Sequence, residues 1–367
     1  MNLNYKWTLK DANFTKDRGK VFSCFSCGGG STMGYKLAGF DVIGCNEIDP
    51  KMMEAYKANH NPKYAFLEPI QTFKNREDLP QELYNLDILD GSPPCSSFSM
   101  AGARGKDWGK EKKFREGQVK QVLDTLFFDF IDLAKKLQPK IIIAENVKGL
   151  LLGEAKAYVN KILLAFNDAG YYVRYDLLDA SKMGVPQKRE RVFFSAIRKD
   201  LYKGEFEDMY ETEPKLELEF KEKQISFGEF YIPGKKDRQT SEGKMFEYWK
   251  LRKEGDESFA ESVIRYEKNE NIRRCFGTKF LYNDKTPSTI TANSDCMFLF
   301  EEYRKPCKEE VCCIGSFPQD YNFVKNPYYY IIGMSVPPLM AARVADRVWK
   351  QWIDSGAGSQ HLTTAST

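Results

Sequence analysis

Histidine is nearly missing from this 367-residue chain: only His60 and His361 occur, the second within the polar tail SGAGSQHLTTAST. A Ser-His-Asp hydrolase or a histidine-rich metal centre therefore has almost no material to work with. Long apolar runs are missing too. Runs such as IIIA at 141–144 and YYYII at 328–332 fall far short of the ~18 residues a membrane span needs. The N-terminal MNLNYKWTLKDANF carries no apolar signal core, which predicts a cytoplasmic protein. Nor is there an excess of one charge: 55 basic against 52 acidic residues give +3, so any nucleic-acid surface must be a local patch. The nine cysteines are scattered and odd in number, which implies reduced thiols and no disulfide framework. Carboxylates, arginines or a thiol must carry any chemistry.

What is present alternates strand-like and helix-like stretches. KVFSCF (20–25) runs into Gly28-Gly29-Gly30 and a helical stretch; DVIGCNEID (41–49) follows, then a second helical stretch from Lys51. LDILDGSPP (86–94) is an apolar run stopped by a Gly/Pro loop. Within VKQVLDTLFFDFIDLAKKLQPK (119–140) the apolar residues 122, 123, 126, 127, 130, 131, 133, 134 and 137 recur at helical spacing, and Pro139 closes the helix. KIIIAENVKG (140–149) reads as a buried strand with polar residues at its carboxyl end, followed by a helix near 154–168, YYVRYDLLDA and RVFFSAIR. Repeated strand–helix–strand units predict an α/β fold with a mostly parallel sheet covered on both faces. After Arg198 the pattern changes. Residues 198–274 hold seventeen basic and nineteen acidic side chains with only short apolar runs, as expected of a smaller domain or large insertion. Regular patterning returns at TKFLYNDKTPSTITANSDCMFLF, and PPLMAARVADRVWKQWI (337–353) reads as a closing amphipathic helix.

Three stretches carry chemistry. The strand-to-helix turn at Gly28–Gly30 brings backbone close to a ligand or simply makes a tight turn. It lacks the G-x-G-x-x-G dinucleotide pattern, because Met33 stands at the third glycine position. Glu47, at the end of the next strand, can take both ribose hydroxyls of a nucleoside. A ribose acid without a pyrophosphate loop suits S-adenosylmethionine. In GSPPCSSFS (91–99), Cys95 follows two prolines at a strand's carboxyl end, where open α/β sheets bind ligands; the alternative is a buried structural thiol. Glu145 and Asn146 end the strand KIIIAEN, and Arg189 and Arg191 sit two apart before RVFF, on one face of an extended segment. Behind Cys95, residues 103–120 hold seven basic and three acidic residues with Gly, Trp and Phe between them. That is either a solvated face or a clamp on phosphates.

Together these stretches resemble the cytosine-5 DNA methyltransferases. FSCGGGSTMGYKLAGF (25–40), NEIDP (46–50), DILDGSPPCSSFS (87–99), ENVKG (145–149), QKRERVFF (187–194), KTPSTIT (285–291) and IGMSVPP (332–338) occur in the family's order. The resemblance implies a Rossmann-like S-adenosylmethionine-dependent methyltransferase domain over 18–197 and a smaller target-recognition domain over 198–320, its variable segment at 198–272. A C-terminal segment, 321–354, packs back on the first domain, and 355–367 form a disordered tail. It implies that Cys95 attacks C6 of a flipped-out cytosine, with Glu145, Arg189 and Arg191 at the base. Phe25, Gly28, Gly30, Glu47, Ile48, Ile70 and Val336 are expected to bind the cofactor, and Ser97, Arg104, Lys106, Lys112 and Lys113 to bind DNA. No metal is expected: Cys24-x-x-Cys27 lacks a second ligand pair beyond the adjacent Cys312 and Cys313. The implied partner is double-stranded DNA, with a restriction endonuclease as a companion activity, and the implied state is a monomer associated with the nucleoid. Three positions depart from the family pattern. Cys27 stands for a glycine, Pro69 for an acid and Met334 for an asparagine; all three lie on the cofactor side and predict weaker cofactor binding. An RNA cytosine-5 methyltransferase on the same fold, and a catalytically silent DNA-binding relic, are the competing readings.

Overall fold

The computed structural model describes residues 3–94, 111–112, 121–122, 125–152, 155–204, 213–237, 240, 243–270, 275, 277–292 and 297–354. Its centre is a seven-stranded sheet. In chain order its strands are β1 (Lys20–Cys24), β2 (Asp41–Glu47), β3 (Tyr64–Leu67) and β4 (Ile88–Gly91). A short antiparallel pair, β5 (Glu111–Lys112) with β6 (Gln121–Val122), stands apart from the sheet; β7 (Ile141–Val147), β8 (Tyr171–Asp179) and β9 (Glu190–Arg198) complete it. The order is β3-β2-β1-β4-β7-β9-β8. From β3 to β7 every pairing is parallel, whereas β9 runs antiparallel to both β7 and β8. The expected mostly parallel sheet is thus present, with one reversed strand. Its cause is the connection: residues 180–189 return from β8 to β9 without a crossover helix, so the two pair as neighbours in opposite senses.

Side-chain alternation along the strands divides the core between two faces. Phe22, Leu89, Ile142, Ala144, Val192 and Phe194 pack with α3 (Ile70–Phe73), α4 (Leu126–Leu137) and α5 (Ala155–Asp168). Val21, Ile88, Ile141, Ile143, Phe193 and Ile197 pack on the other side with α1 (Gly30–Leu37) and α10 (Pro338–Val348). Between α1 and α3, α2 (Pro50–His60) starts on an Asp49 side chain that accepts from the Lys51 amide, with Pro50 at its first position. Gln138, at φ 50°, ends α4 just before Pro139.

The smaller unit holds α6 (Lys244–Lys250), α7 (Phe259–Glu267), β10 (Lys279–Leu281), β11 (Met297–Leu299) and α8 (Lys308–Ile314); α9 (Tyr328–Met334) leads back to α10. Residues 213–222, read from sequence as part of the separate unit, run along the large domain. Leu216 and Leu218 join the face lined by α10, the Glu222 amide donates to the Lys182 carbonyl, and Trp352 Nε1 donates to the Lys215 carbonyl. Period-two alternation in KLELEF explains this, since its leucines face inward and its acids outward. Residues before 18 are also fastened: Trp7 Nε1 donates to the Ser316 carbonyl, and the Leu9 amide to Asp320. The C-terminal tail 355–367 lies outside the described residues.

Candidate active site

The chain leaves β1 toward β2 and β3 on one side, while β4 and β7 lie on the other, so β1 and β4 flank a topological switch point. Sites in such sheets form at the carboxyl ends of these strands. Here those ends carry Phe25 to Gly30, Glu47, Gly91 to Pro94, and Glu145 to Val147.

Glu47 is buried and its carboxylate accepts three backbone N–H groups: Cys27 at 2.7 Å, Ile48 at 2.8 Å and Asp49 at 2.9 Å. Burial pushes its pKa up, and these three hydrogen bonds oppose that. A carboxylate offers about four acceptor positions, so one remains for a ligand hydroxyl. Around it is a cavity lined by Phe25, Cys27, Ile48, Met52, Ile70, Tyr330 and Met334, with Ser92 and Pro94 on the β4 side. Asn46, Asp49 and Glu68 also line it, and apolar walls with a few polar groups fit a nucleoside whose ribose meets Glu47 and whose base lies against Phe25, Ile48 and Ile70.

Three expected cofactor residues lie behind this wall. A Cβ on Gly28 would meet the Ile331 side chain at 2.4 Å, and one on Gly30 would meet the Val336 carbonyl at 2.3 Å. Glycine is needed there because α9 and the turn after it close on the loop. Val336 itself is buried in the core beneath α10. Sequence reasoning missed Met52 and Tyr330, whose apolar and aromatic side chains look like ordinary core. It also missed the role of Asp90. This buried carboxylate on β4 accepts from Ser23 at 2.6 Å, Ser31 at 2.7 Å and Tyr35 at 3.0 Å, tying β1, α1 and β4 together. Burial raises its pKa to about 6. An acid inside the apolar run ILD was the available signal.

On the other side of the switch point, Arg191 Nε sits 2.9 Å from Glu145 Oε1, both side chains being largely buried. The pair follows from register: Arg191 is opposite Val147 and Phe193 opposite Glu145. Burial lowers the Arg191 pKa while Glu145 opposes that shift. Asn146 donates its side-chain N–H to the Pro93 carbonyl at 3.1 Å and accepts from the Val147 amide at 2.9 Å. Arg189, expected at the base, uses its donors elsewhere. Nη1 reaches the Ile290 carbonyl at 2.8 Å, and Nη2 reaches the Gly333 and Ser335 carbonyls, both at 3.0 Å. Strand alternation begins only at Glu190, where β9 starts, so Arg189 gives its donors to these carbonyls while Arg191 takes Glu145; the two charges remain near enough that, after burial, Arg191 lowers the Arg189 pKa further.

Cys95, Ser97, Arg104, Lys106 and Lys113 lie outside the described residues, and of Lys112 only the backbone is described. Cys24 and Cys27 are free thiols, and the grouping of possible metal donors found among the described residues is Asp237, Cys307 and Glu309.

The model of C-5 cytosine-specific DNA methylases matches residues 19–350. The chain belongs to that family. It is 30% identical over 342 residues to the type II methyltransferase M.FnuDI of Fusobacterium nucleatum, covering 90% of this chain and 94% of the relative. Type II methyltransferase M.NgoPII of Neisseria gonorrhoeae is also 30% identical, with 90% and 95% covered. In fold the chain is similar to a solved DNA modification methyltransferase encoded within an E. coli prophage, at a TM-score of 0.60 and 21% identity, covering 90% of this chain and 98% of that one. As a member of the family it is a DNA cytosine-5 methyltransferase that uses S-adenosylmethionine. The methyl group is the chemistry the cofactor supplies; binding, orientation and base activation fall to the chain.

Proposed function

We propose that this enzyme is a sequence-specific modification methylase in which Cys95 is the nucleophile and Glu145 with Arg191 forms the base pocket. The observation that carries the reading is the Glu145–Arg191 pair at 2.9 Å, fixed at the carboxyl end of β7 beside the loop that Asn146 anchors through Pro93. The Cys95 thiolate adds to C6, forming an S–C6 bond and sending electron density to C5. Glu145 accepts from the exocyclic amine and, carrying the proton that N3 takes up as the thiolate adds, shares it with N3, while Arg191 holds both Glu145 and O2, so charge building on the ring is met by groups already in place. C5 takes the methyl group, a base removes the C5 proton, and the S–C6 bond breaks to return the thiolate. Stacked cytosine cannot reach the thiol, so the base is flipped out.

Ser97, Arg104, Lys106, Lys112 and Lys113 follow Cys95 and supply phosphate contacts, while the segment 198–272 reads the sequence. The relatives' names as type II methyltransferases support a modification role beside a restriction endonuclease. No helix among the described residues is long and apolar enough to cross a membrane; the reading takes the enzyme to be a cytoplasmic monomer that meets the nucleoid through its DNA substrate.

Trapping on a duplex library containing 5-fluorocytosine tests this. Fluorine at C5 blocks the final elimination, so the working enzyme stays covalently attached to its own target. The expected result is a complex on DNA that Cys95→Ser abolishes. A complex on fluorinated RNA alone, or one that survives Cys95→Ser, would overturn the reading.

A further inference from the structure

Arg189 is 2% exposed. Of its five N–H donors, those on Nη1 and Nη2 are engaged by the carbonyls of Ile290, Gly333 and Ser335, with Gln187 Oε1 at 3.5 Å from Nη1, and Nε is buried with no partner among the described residues. Among the described residues no carboxylate is within ion-pairing distance of it. A planar fork held by carbonyls on two sides works as a brace, and lysine cannot reproduce its geometry.

The braced carbonyls are informative. Gly333 and Ser335 flank Met334, which is 41% exposed and lines the cavity beside Glu47. Gly333 lies so close to the neighbouring backbone that a Cβ would come within 2.3 Å of the Thr291 carbonyl. On the far side of the turn, a Cβ on Gly30 would approach the Ser335 Cβ at 2.7 Å. The turn 333–335 is thus wedged between the TPSTI segment and the glycine loop, and Arg189 joins it to the strand that carries Arg191. Gln187 and Lys188 reinforce the join: Gln187 Oε1 accepts from the Ile290 amide at 3.0 Å, and the Lys188 amide donates to the Pro287 carbonyl at 2.9 Å.

We propose that Arg189 is a positioning residue for the cofactor wall, setting the 333–335 turn and hence cofactor affinity, and that it does not touch the reacting cytosine. The inference rests on assigning the cavity beside Glu47 to S-adenosylmethionine.

The test separates binding from chemistry. S-adenosylhomocysteine is titrated into the parent enzyme, Arg189→Lys, Arg191→Lys and Glu47→Ala, and methyl transfer to unmethylated genomic DNA is followed in a single turnover at saturating cofactor. Arg189→Lys is expected to weaken S-adenosylhomocysteine binding by about tenfold or more while its saturated transfer rate stays within about threefold of the parent. Arg191→Lys should do the reverse, keeping its affinity and losing about a hundredfold in transfer. Wild-type affinity in Arg189→Lys, or a loss of transfer matching that of Arg191→Lys, would overturn the proposal. Should Arg189→Lys not fold, Gly333→Ala displaces the same turn from its other side; it too must weaken the titration, and unchanged affinity there would sink the idea. Unchanged affinity in Glu47→Ala would instead show that the cavity assignment is wrong. The titration needs no turnover, so it reads out whatever the DNA sequence preference.

Discussion

The side-chain nitrogen of Asn146 lies 3.1 Å from the Pro93 carbonyl oxygen, and both residues are in the carboxyl-end layer of the sheet, on β7 and after β4. Pro93 and Pro94 have restricted backbones, so fixing one carbonyl fixes the direction in which the chain leaves toward Cys95. Glu145 is the residue before Asn146. The same strand end therefore holds the acid proposed to bind the base and the anchor of the loop that leads to Cys95.

Asn146→Ala should accordingly slow covalent trapping on 5-fluorocytosine DNA by about tenfold to a hundredfold, because misplacing a nucleophile by about 1 Å costs that much. Among the described residues Asn146 donates to the Pro93 carbonyl, and Ser92 and Pro94 on either side line the cofactor cavity, so any loss of cofactor affinity should be smaller than the loss in trapping rate. Single-turnover trapping combined with an S-adenosylhomocysteine titration checks both halves; weakened cofactor binding with normal trapping would refute the assignment.

Much of this site was legible in the sequence, for a physical reason. Strands buried on both faces read as apolar runs, and polar residues at their carboxyl ends stand out, which is how Glu47, Glu145 and Asn146 were found. Arg189 shows the limit. Its two-residue spacing from Arg191 implied a shared face, but its donors reach carbonyls more than 100 residues away in sequence, and no local pattern reports such partners. Asp90 was hidden in the same way, its hydroxyl donors coming from β1 and α1. At Gly28 and Gly30 a Cβ would strike the Ile331 side chain or the Val336 carbonyl, and in sequence a glycine kept for packing looks like one kept for a ligand.

Two buried titratable groups around the glycine loop give stability slopes of opposite sign. Asp90 has its pKa raised to about 6, chiefly by burial. Its folded form holds a proton that the unfolded chain has released, so this contribution is present below about pH 4 and is lost as pH rises through 6. His60, whose ring nitrogen lies 3.4 Å from the Gly28 carbonyl, has its pKa lowered to about 3, again chiefly by burial. It stays neutral in the fold while the unfolded chain takes a proton, so stability is lost as pH falls below about 6.5. In urea denaturation, Asp90→Asn should gain on the parent between pH 5 and pH 7.5, whereas His60→Gln should gain on it between pH 7 and pH 4.5. Parallel profiles for parent and variants would show that neither group is perturbed.

Met334 occupies the cavity wall where the family resemblance leads one to expect an asparagine, and its side chain is partly exposed. Met334→Asn offers the cofactor a hydrogen-bonding group without altering the core. One added hydrogen bond contributes about 1 kcal/mol, so S-adenosylhomocysteine should bind about fivefold more tightly, read by calorimetric titration. No change, or weaker binding, would mean that the methionine is already the better fit for this wall.

The smaller unit depends on an ion pair as deeply buried as any part of the core. Arg304 and Glu310 are both 0% exposed, with Nη1–Oε2 at 2.7 Å and Nη2–Oε1 at 2.8 Å. Glu310 also accepts from the Ile232 amide at 2.9 Å and the Cys307 amide at 2.8 Å, and Arg304 donates to Glu302 and the Ile232 carbonyl. Removing one partner strands the other charge away from water, at a cost of about 3–5 kcal/mol. Arg304→Met and Glu310→Gln should therefore each lower the unfolding free energy by roughly that amount. Because the pair lies in the smaller unit, proteolysis should cut first within residues 225–314 while the sheet domain persists. If the double variant Arg304→Met/Glu310→Leu recovers stability and still methylates the parent's sequence, the pair serves packing alone; a shifted or relaxed target sequence would show that this buried charge pair also holds the recognition surface in register.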